Sequence, residues 1–478
     1  MGDFAKKELP RHYADLHVHS RHSRATSPST NPRTMREAAL RKGLSLVGTG
    51  DLTHPAWLSE LKESLELSPE TGFYFQKDAP GGEKGPFFVP TGEVSCIYKQ
   101  DGKTRKIHLV LLSFDLEGAE RIGKALGARG NVTSDGRPIL GLSARDVLEI
   151  TLTADPEAIV IPAHVWTPWF SLFGSMSGFD EVSECFKDLT PRVKALETGL
   201  SSDPAMNRLV SRLDEYLLVS SSDAHGPDNL GREATVIGGE LSRQTLKSAL
   251  TTGEGLLGTV EFFPEEGKYH LDGHASCGPA LTPAETKKLK GICPVCGKRL
   301  TTGVLSRVME LADRTVPPPG LLLPDWHIFP LKELLGQVLG KGPDTKTVNE
   351  ARAKVIRAFG SEYEFLLDAP LDEIEDFGGA LLRLAAERTR KGEVKTRGGY
   401  DGVFGTVEAV TREDREADLG RNSLFSDEGG KRTGRSFPPR APRPLFEKDP
   451  EKPPAGPAPA PGARGGGQKT PPPGPQER

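Results

Sequence analysis

The chain has 478 residues, enough for two or three domains, and its formal net charge is −4 at neutral pH. That charge excludes a general attraction to nucleic acid, so binding to it would need local basic patches. A hydrophobic share of 36% with 54 glycines and 40 prolines predicts a disordered part. The N-terminus lacks the apolar run of a signal peptide, and no apolar stretch approaches the ~20 residues of a membrane span, which predicts a cytoplasmic protein.

Hydrophobic runs alternate with amphipathic stretches along the first half of the chain. Predicted strands cover residues 13–20, 44–51, 87–91, 107–114, 158–163, 193–197, 217–221 and 234–237. Predicted helices cover residues 33–42, 57–67, 116–126, 144–152, 181–186, 205–215 and 243–251. The turn at Asp101-Gly102 predicts a local hairpin between residues 95–99 and 105–109. The alternation is typical of parallel β/α units and predicts a closed or nearly closed α/β barrel.

Side chains that can ligate metals follow the ends of these strands. The first strand carries Asp15, His17 and His19 at alternate positions, so the three side chains share one face. The later strands end at or close to Asp51, His54, Glu93, His108, His164, Glu197, Asp223 and His225. Because the carboxyl ends of barrel strands meet at one mouth, we expect these residues to lie together. The alternative, unrelated core histidines and surface acids, would not place so many candidates at one end.

This set exceeds the three or four protein ligands that one ion takes, which predicts two or three divalent ions. The ligand types suit Zn²⁺, Mn²⁺, Mg²⁺ or Fe²⁺ and leave the choice of metal open. Paired ions ~3.5–4 Å apart suit the hydrolysis of phosphoesters. Glu93 is the candidate for a carboxylate that bridges two ions, and with Asp223 and His225 it forms the predicted catalytic set.

Five short motifs resemble those of a known superfamily. In chain order they are Asp-Leu-His-Val-His-Ser, Gly-Thr-Gly-Asp, Thr-Gly-Glu, Pro-Ala-His and Ser-Asp-Ala-His. They resemble the PHP (polymerase and histidinol phosphatase) superfamily, which implies a distorted (β/α)7 TIM-like barrel with a trinuclear metal site. Two positions depart from that pattern. Leu52 follows Asp51 where histidine is usual, and the acid that commonly follows the first motif is missing, which weakens Asp51 and His54 as ligands.

Longer blocks are similar to endonuclease Q within the PHP proteins. These blocks are residues 23–27, 50–55, 163–179 and 198–207, together with the cysteine region. The resemblance implies a nucleoid-associated DNA repair endonuclease that cuts the phosphodiester 5′ to uracil, hypoxanthine, xanthine or an abasic site. Two alternatives stay open: a small-molecule phosphatase of the histidinol-phosphate type, and a non-catalytic DNA-damage or helicase-associated binding protein.

An aromatic loop, residues 166–174, follows His164 directly. Aromatic rings at an active-site mouth can wedge into a base stack or sandwich a flipped base. The alternative is an aromatic cluster that packs a long loop against the fold. The predicted DNA-binding residues are Arg21, Arg24, Trp166, Trp169, Phe170, Phe173 and Asn207.

The remaining motifs lie in the second half of the chain. His274-x-x-Cys277 and Cys293-x-x-Cys296 have the spacing of a structural zinc site, with His270 as the rival to His274. Lysines and an arginine flank this site, so it offers a local basic surface for DNA. The cysteine pattern argues against a disulfide scaffold and for a reduced interior.

We expect four regions: a PHP barrel (1–260), a zinc-binding module (261–313), a helical C-terminal domain (314–412) and a disordered Pro/Gly-rich tail (413–478). The stretch from Arg421 to Phe425 is similar to Leu-Phe peptides that bind the sliding clamp, although chance occurrence is the commoner explanation. The turn-rich motif at 399–405 has no assigned role.

Overall fold

The computed structural model describes residues 9–418. The strands are β1 Arg11–Asp15, β2 Leu46–Gly48, β3 Leu65–Leu67, β4 Tyr74–Gln76, β5 Phe87–Val89, β6 Thr91–Gln100, β7 Lys103–Leu112, β8 Ile139–Leu140, β9 Ile159–Pro162, β10 Ala195–Glu197, β11 Leu217–Val219, β12 Ala234–Gly238, β13 Leu256–Glu261, β14 Asp272–Gly273, β15 Ala280–Leu281, β16 Asp325–His327, β17 Lys395–Arg397 and β18 Thr406–Glu408.

The helices are α1 Pro32–Lys42, α2 Pro55–Ser64, α3 Leu116–Gly127, α4 Ala144–Ala154, α5 Val182–Phe186, α6 Pro204–Asn207, α7 Arg243–Thr251, α8 Pro283–Lys288, α9 Val304–Leu311, α10 Leu331–Leu339, α11 Lys346–Phe359, α12 Leu371–Gly378, α13 Ala380–Lys391 and α14 Arg412–Asp418. In this described part of the chain, the helices are too short or too polar to cross a membrane.

The helices begin where the side chains can cap them. Asn31 accepts a hydrogen bond from Thr34 N, Pro32 takes the first helical position, and Gly43 ends α1 in the left-handed region. The helix predicted at 205–215 is shorter than expected. It stops after Asn207, and the Arg208 guanidinium instead donates to the carbonyl of Tyr216 at 2.8 Å.

The strands form a mixed sheet system. An eight-stranded sheet has the order β16-β13-β12-β1-β2-β5-β4-β3, a four-stranded sheet has the order β8-β6-β7-β9, and β10 pairs with β11. Strands β1, β2 and β5 are parallel as predicted, whereas β12 runs antiparallel to β1 and β9 antiparallel to β7. The prediction of uniformly parallel units was therefore wrong, while the mixed α/β class is confirmed.

A long hairpin explains part of that difference. β6 and β7 pair from Thr91↔Leu112 to Gln100↔Lys103 around the predicted Asp101-Gly102 turn. The hairpin reverses the chain direction, so the strand that follows in the sheet is antiparallel to its neighbour. It also carries Glu93 and His108 on opposite strands.

The second half of the described chain is largely helical, as predicted. Helices α10 to α13 surround a core that includes Leu334, Val355 and Leu382. Strand β16 adds to the edge of the large sheet, parallel to β13 with Val260 opposite Trp326. Helix α14 crosses the boundary predicted at residue 413. The segment from Arg421 to Phe425 lies outside the described residues.

Candidate metal centre

Four ligand atoms converge just beyond the end of β1. His17 and His19 follow this strand, Glu93 lies in β6 and Asp223 follows β11. His19 Nε2 lies 3.0 Å from Asp223 Oδ1 and 3.3 Å from Glu93 Oε2. His17 Nε2 lies 3.6 Å from both Glu93 Oε1 and Asp223 Oδ1. One ligand atom from each residue lies within 4.8 Å of the others, which suits a shared ion.

The imidazole of His17 is oriented for an ion. Its Nδ1 lies 2.9 Å from Glu197 Oε2, which fixes the ring and leaves Nε2 facing the cluster. His17 is 1% exposed, and Nε2 has no hydrogen-bond partner among residues 9–418. A buried nitrogen without a partner is costly in a folded protein, and a bound cation would satisfy it.

A second group shares Glu93 with the first. His108 Nδ1 lies 2.5 Å from Glu93 Oε1, and His164 Nε2 lies 3.2 Å from the same oxygen. The two ring nitrogens are 3.3 Å apart. Two imidazole nitrogens facing one carboxylate oxygen form a donor set that suits Zn²⁺ or Mn²⁺. The shared carboxylate has the placement that the bridging prediction required.

Three predicted ligands do not join these groups. Asp51 accepts from Ser20 N at 2.9 Å and Ser23 Oγ at 2.8 Å, so its oxygens are held by protein donors. His54 caps α2 through Nδ1, and its Nε2 lies 3.0 Å from the carbonyl of Thr133. His225 lies beside the cluster, with Nδ1 2.9 Å from the carbonyl of Asp223. For Asp51 and His54, the ligand prediction is corrected to a supporting role.

The strand ends are held close together by unusual backbone. Asp51, His164 and Asp223 all have positive φ, at 50°, 30° and 48°. Side chains other than glycine adopt this region rarely, and such strain clusters at functional sites. A Cβ at Gly92 would lie 2.5 Å from the backbone nitrogen of Leu52, so β6 reaches this position only with glycine.

Asp15 supports the loop that presents Asp223. Its Oδ1 accepts from Ser222 N at 3.0 Å, and its Oδ2 accepts from Gly231 N at 2.8 Å. Asp15 is fully buried and does not reach the clusters. The first acid of the Asp-x-His-x-His motif therefore positions a loop.

Charge in the cluster is tightly interdependent. Burial alone would lower the pKa of His17, but Glu197, Glu93 and Asp223 together raise it well above its usual value. Burial alone would raise the pKa of Glu93, yet His108 and His17 hold it well below its usual range. Burial lowers the pKa of His108 to about 4 despite the adjacent carboxylate. A cluster of carboxylates against imidazoles is the electrostatic environment that a divalent cation completes.

A separate cluster contains His274, Cys277, Cys293 and Cys296, whose ligand atoms also lie within 4.8 Å of one another. Burial opposes ionisation of Cys293, but backbone N–H groups of Cys296 and Val295, with His274, lower its pKa to about 6. The rival His270 lies outside this group. The possible Cys3His metal site thus has the predicted composition.

The 399–405 motif holds this cluster in place. Asp401 Oδ2 accepts from Ala275 N at 2.7 Å, and its Oδ1 accepts from Thr301 Oγ1 at 2.7 Å. Gly399 N donates to the carbonyl of Glu265 at 2.8 Å. The motif fastens the two ends of the cysteine region to the chain segment after β13.

One charged residue beside the cluster was missed by the sequence analysis. Arg137 Nη1 lies 3.1 Å from Glu93 Oε2, and its side chain is 28% exposed. It belongs to a loop between α3 and α4, and it follows no motif or strand end that would have signalled it.

The comparison with solved structures identifies the fold. The lesion-specific endonuclease Q of Pyrococcus furiosus matches with a TM-score of 0.74 at 28% identity, covering 86% of this chain and 99% of that one. Endonuclease Q in complex with a 27-mer duplex carrying an abasic lesion at the active site matches equally, at 28% identity over 87% of this chain. The chain is close to endonuclease Q. This confirms the resemblance predicted from the sequence, to a PHP-superfamily protein of that kind.

Sequence relatives agree with the endonuclease Q likeness in extent. The uncharacterized protein YqxK of Bacillus subtilis is 28% identical over 83% of this chain and 98% of its own length. The uncharacterized protein MJ0043 of Methanocaldococcus jannaschii is 32% identical over 51% of this chain, but the match spans only 31% of that protein. Residues 330–393 match the family described as the MJ0043 C-terminal domain.

The predicted DNA-binding residues divide into two sets in this endonuclease Q-like fold. Trp166 and Phe173 are each 1% exposed and pack together with ring centroids 4.9 Å apart. Asn207 is fully buried and accepts from Trp166 Nε1 at 2.8 Å. These three are corrected to core residues, because their polar and aromatic groups are already used within the loop.

The second set is accessible. Phe170 has φ of 63° and packs on His108 with centroids 4.7 Å apart, while Trp169 meets Tyr269 edge-on. Arg21 and Arg24 are exposed and pair with Glu60 and Asp135. These residues are free of the core and stay candidates for contacts with DNA.

Proposed function

We propose that this protein is a metal-dependent DNA repair endonuclease that hydrolyses the phosphodiester 5′ to a deaminated base or an abasic site. The observation that carries the proposal is Glu93, shared by two ligand groups inside a fold that matches endonuclease Q over most of its length. Two adjacent cation sites beside an open mouth are the arrangement that phosphodiester hydrolysis requires.

The residues present fit two divalent ions. His17, His19, Glu93 and Asp223 would hold one, and Glu93, His108 and His164 would hold the other. When bound, such ions supply Lewis acidity, a lowered pKa for water and charge neutralisation of a phosphate. Two ions fall within the predicted range of two or three. The (β/α)7 PHP barrel is the architecture that we propose for this half of the chain.

The chain's own groups define the open side of the site. Side-chain exposure is 28% for Asp223 and 26% for His225, whereas Glu93 and His19 are fully enclosed. A DNA phosphate would therefore meet Asp223 and His225 first. His225 also lies 4.3 Å from the His19 ring, which fixes its position at the rim. We assign these two residues to proton transfer with the attacking water and leaving oxygen.

The accessible aromatic loop is suited to the lesion. Phe170 is anchored by His108, and Lys106 Nζ lies 5.1 Å from its ring centroid. An aromatic face next to a cation can stack on an extruded base while the cation meets a phosphate. We assign the Cys3His cluster to one structural zinc ion, since four protein ligands close its coordination. Contact with the sliding clamp through the tail stays part of this proposal.

Nicking of a labelled duplex with one deoxyuridine, deoxyinosine or abasic site tests the proposal. We expect a cut 5′ to the lesion with Mn²⁺ or Mg²⁺, and none with EDTA or in an Asp223→Asn, His225→Ala double variant. The exposed Glu37→Gln provides a matched control that should cut normally. If all duplexes stayed intact while small phosphomonoesters were hydrolysed, the enzyme would be a small-molecule phosphatase. Tight binding of intact lesion DNA would instead identify a non-catalytic sensor.

A further inference from the structure

Arg137 reaches the centre of the site from a loop that the rest of the mechanism leaves unused. Its Nη1 donates to Glu93 Oε2 at 3.1 Å, on the side of Glu93 away from His108 and His164. Its side chain is 28% exposed, as is that of Asp223. The guanidinium thus contacts the shared carboxylate at one edge and faces the open mouth at the other.

The backbone of the same loop fills the space beside Asp51. A Cβ at Gly136 would lie 2.1 Å from Asp51 Oδ2 and 2.5 Å from Ser23 Oγ, so only glycine permits this approach. Gly136 N also donates to the carbonyl of His22 at 2.9 Å. The loop is therefore packed against the strand ends, and Arg137 is directed to Glu93 by a fixed backbone.

A third ion would need ligands that this chain has committed elsewhere. Asp51 accepts from Ser20 N, Ser20 Oγ and Ser23 Oγ at 2.9, 2.5 and 2.8 Å. Both ring nitrogens of His54 are occupied, one by the cap of α2 and one by the carbonyl of Thr133. These residues present no ligand atom that is both free and directed toward Glu93.

We propose that the centre holds two ions, and that the Arg137 guanidinium supplies the positive charge of a third while binding a non-bridging oxygen of the scissile phosphate. Guanidinium presents five N–H donors in a fixed plane, so one edge can hold Glu93 while the other holds phosphate. A fixed cation at this place stabilises charge that develops on the phosphate without reorganisation. This inference rests on the proposed endonuclease function for its phosphate half and on the ligand geometry for its metal half.

Total metal content tests the ion count without any reaction. Wild-type protein saturated with Mn²⁺ and freed of loose metal should contain three ions per chain by elemental analysis, two at the centre and one in the Cys3His cluster. Arg129→Gln, an exposed arginine at the start of the same loop, is the matched control and should give the same count. Four ions per chain in the wild type would overturn the inference.

Kinetics on phosphorothioate DNA test the phosphate contact. We expect Arg137→Gln to lower kcat by about 100-fold, the range for loss of one charge-stabilising donor, with Arg137→Lys intermediate. Sulfur at the contacted oxygen should slow the wild type but not Arg137→Gln, a result that a merely structural pair with Glu93 would not give. Arg137→Gln that cuts at the wild-type rate, or that keeps the full sulfur effect, would overturn the phosphate contact. Wild type with three ions that cuts no lesion DNA would overturn the proposed function and leave the ion count supported.

Discussion

Glu197 shows how a residue outside the ligand groups can control them. Its carboxylate binds His17 Nδ1 at 2.9 Å and accepts from the backbone nitrogen of His164 at 2.8 Å, so it touches one ligand of each group. An acid that holds the second nitrogen of a ligating imidazole fixes the ring and raises its basicity. Glu197 therefore links the two proposed cation sites from behind.

We expect Glu197→Gln to weaken metal affinity about 10- to 100-fold, because an amide cannot hold both partners with the same charge. Competition with a metal chelator, followed by Mn²⁺ electron paramagnetic resonance, measures this affinity. Glu240→Gln, an exposed acid just after β12, serves as control and should leave the affinity unchanged. Equal affinity in the two variants would contradict a role of Glu197 in orienting His17.

Glu266 provides a pH-dependent prediction at the residue scale. Burial, with Glu333 and Glu265 nearby, raises its pKa to about 8, and its buried Oε2 has no hydrogen-bond partner in the described chain. A carboxyl whose folded-state pKa is raised favours folding only while protonated, so stability falls as pH rises from about 4.5 to about 8.

We expect Glu266→Gln to remove this loss. At pH 9 the variant should be more stable than wild type by roughly 2 kcal/mol, a value reduced from the full linkage energy because the side chain is partly exposed. At pH 4 the two should be equal. Urea unfolding at both pH values measures the difference, and a constant offset would show that packing rather than ionisation is responsible.

At the scale of elements, the Cys3His module depends on connections at both ends. The module has only the short strands β14 and β15 and the helices α8 and α9, and the loop at Asp401 ties Ala275 to Thr301. A segment with so little regular structure needs its metal to stay folded. The central ligand groups share no residue with it.

We expect Cys277→Ser to lose one zinc ion per chain and to make residues 274–302 sensitive to protease. The two ions proposed for the centre should remain, because their ligands come from other strands. Elemental analysis and limited proteolysis measure the two effects, with the exposed Lys288→Gln as control. Loss of all metal in Cys277→Ser would show instead that the module and the centre fold as one unit.

The elements also show what could be predicted from the sequence. His17, His19, Glu93, His108, His164 and Asp223 do lie together, because each follows or begins a strand whose end faces the same side. His54 was indistinguishable by residue type, yet its place three residues after Asp51 makes it a helix cap. Arg137 and the burial of Asn207 depend on how loops pack, which neither motif nor periodicity encodes.

For the whole molecule, a buried ion network joins the two halves. Glu362 accepts from Lys42 Nζ at 2.7 Å and from Arg352 Nε at 2.6 Å, and both Lys42 and Glu362 are almost fully buried. Lys42 ends α1, whereas Arg352 lies in α11 of the helical region. Removal of one partner from a buried pair leaves the other charge uncompensated.

We expect Glu362→Gln to lower the free energy of unfolding by about 3 kcal/mol for this reason. Glu350→Gln on α11, whose exposed pair with Lys346 contributes little, should change it by less than about 0.5 kcal/mol. Chemical denaturation followed by fluorescence measures both. Separate transitions for the two halves in the Glu362 variant would identify this network as their main connection, whereas wild-type stability would contradict the argument.

The hydroxyl of Tyr363 donates to the carbonyl of Gly231 at 2.6 Å, and the N–H of the same glycine is held by Asp15. The loop that presents Asp223 is thus clamped from one side by the first strand and from the other by the helical region. Natural selection on this loop acts on both halves at once. Positions 15, 231 and 363 should therefore vary together among homologues, and a helical region exchanged from a distant homologue would need its matching loop to come with it.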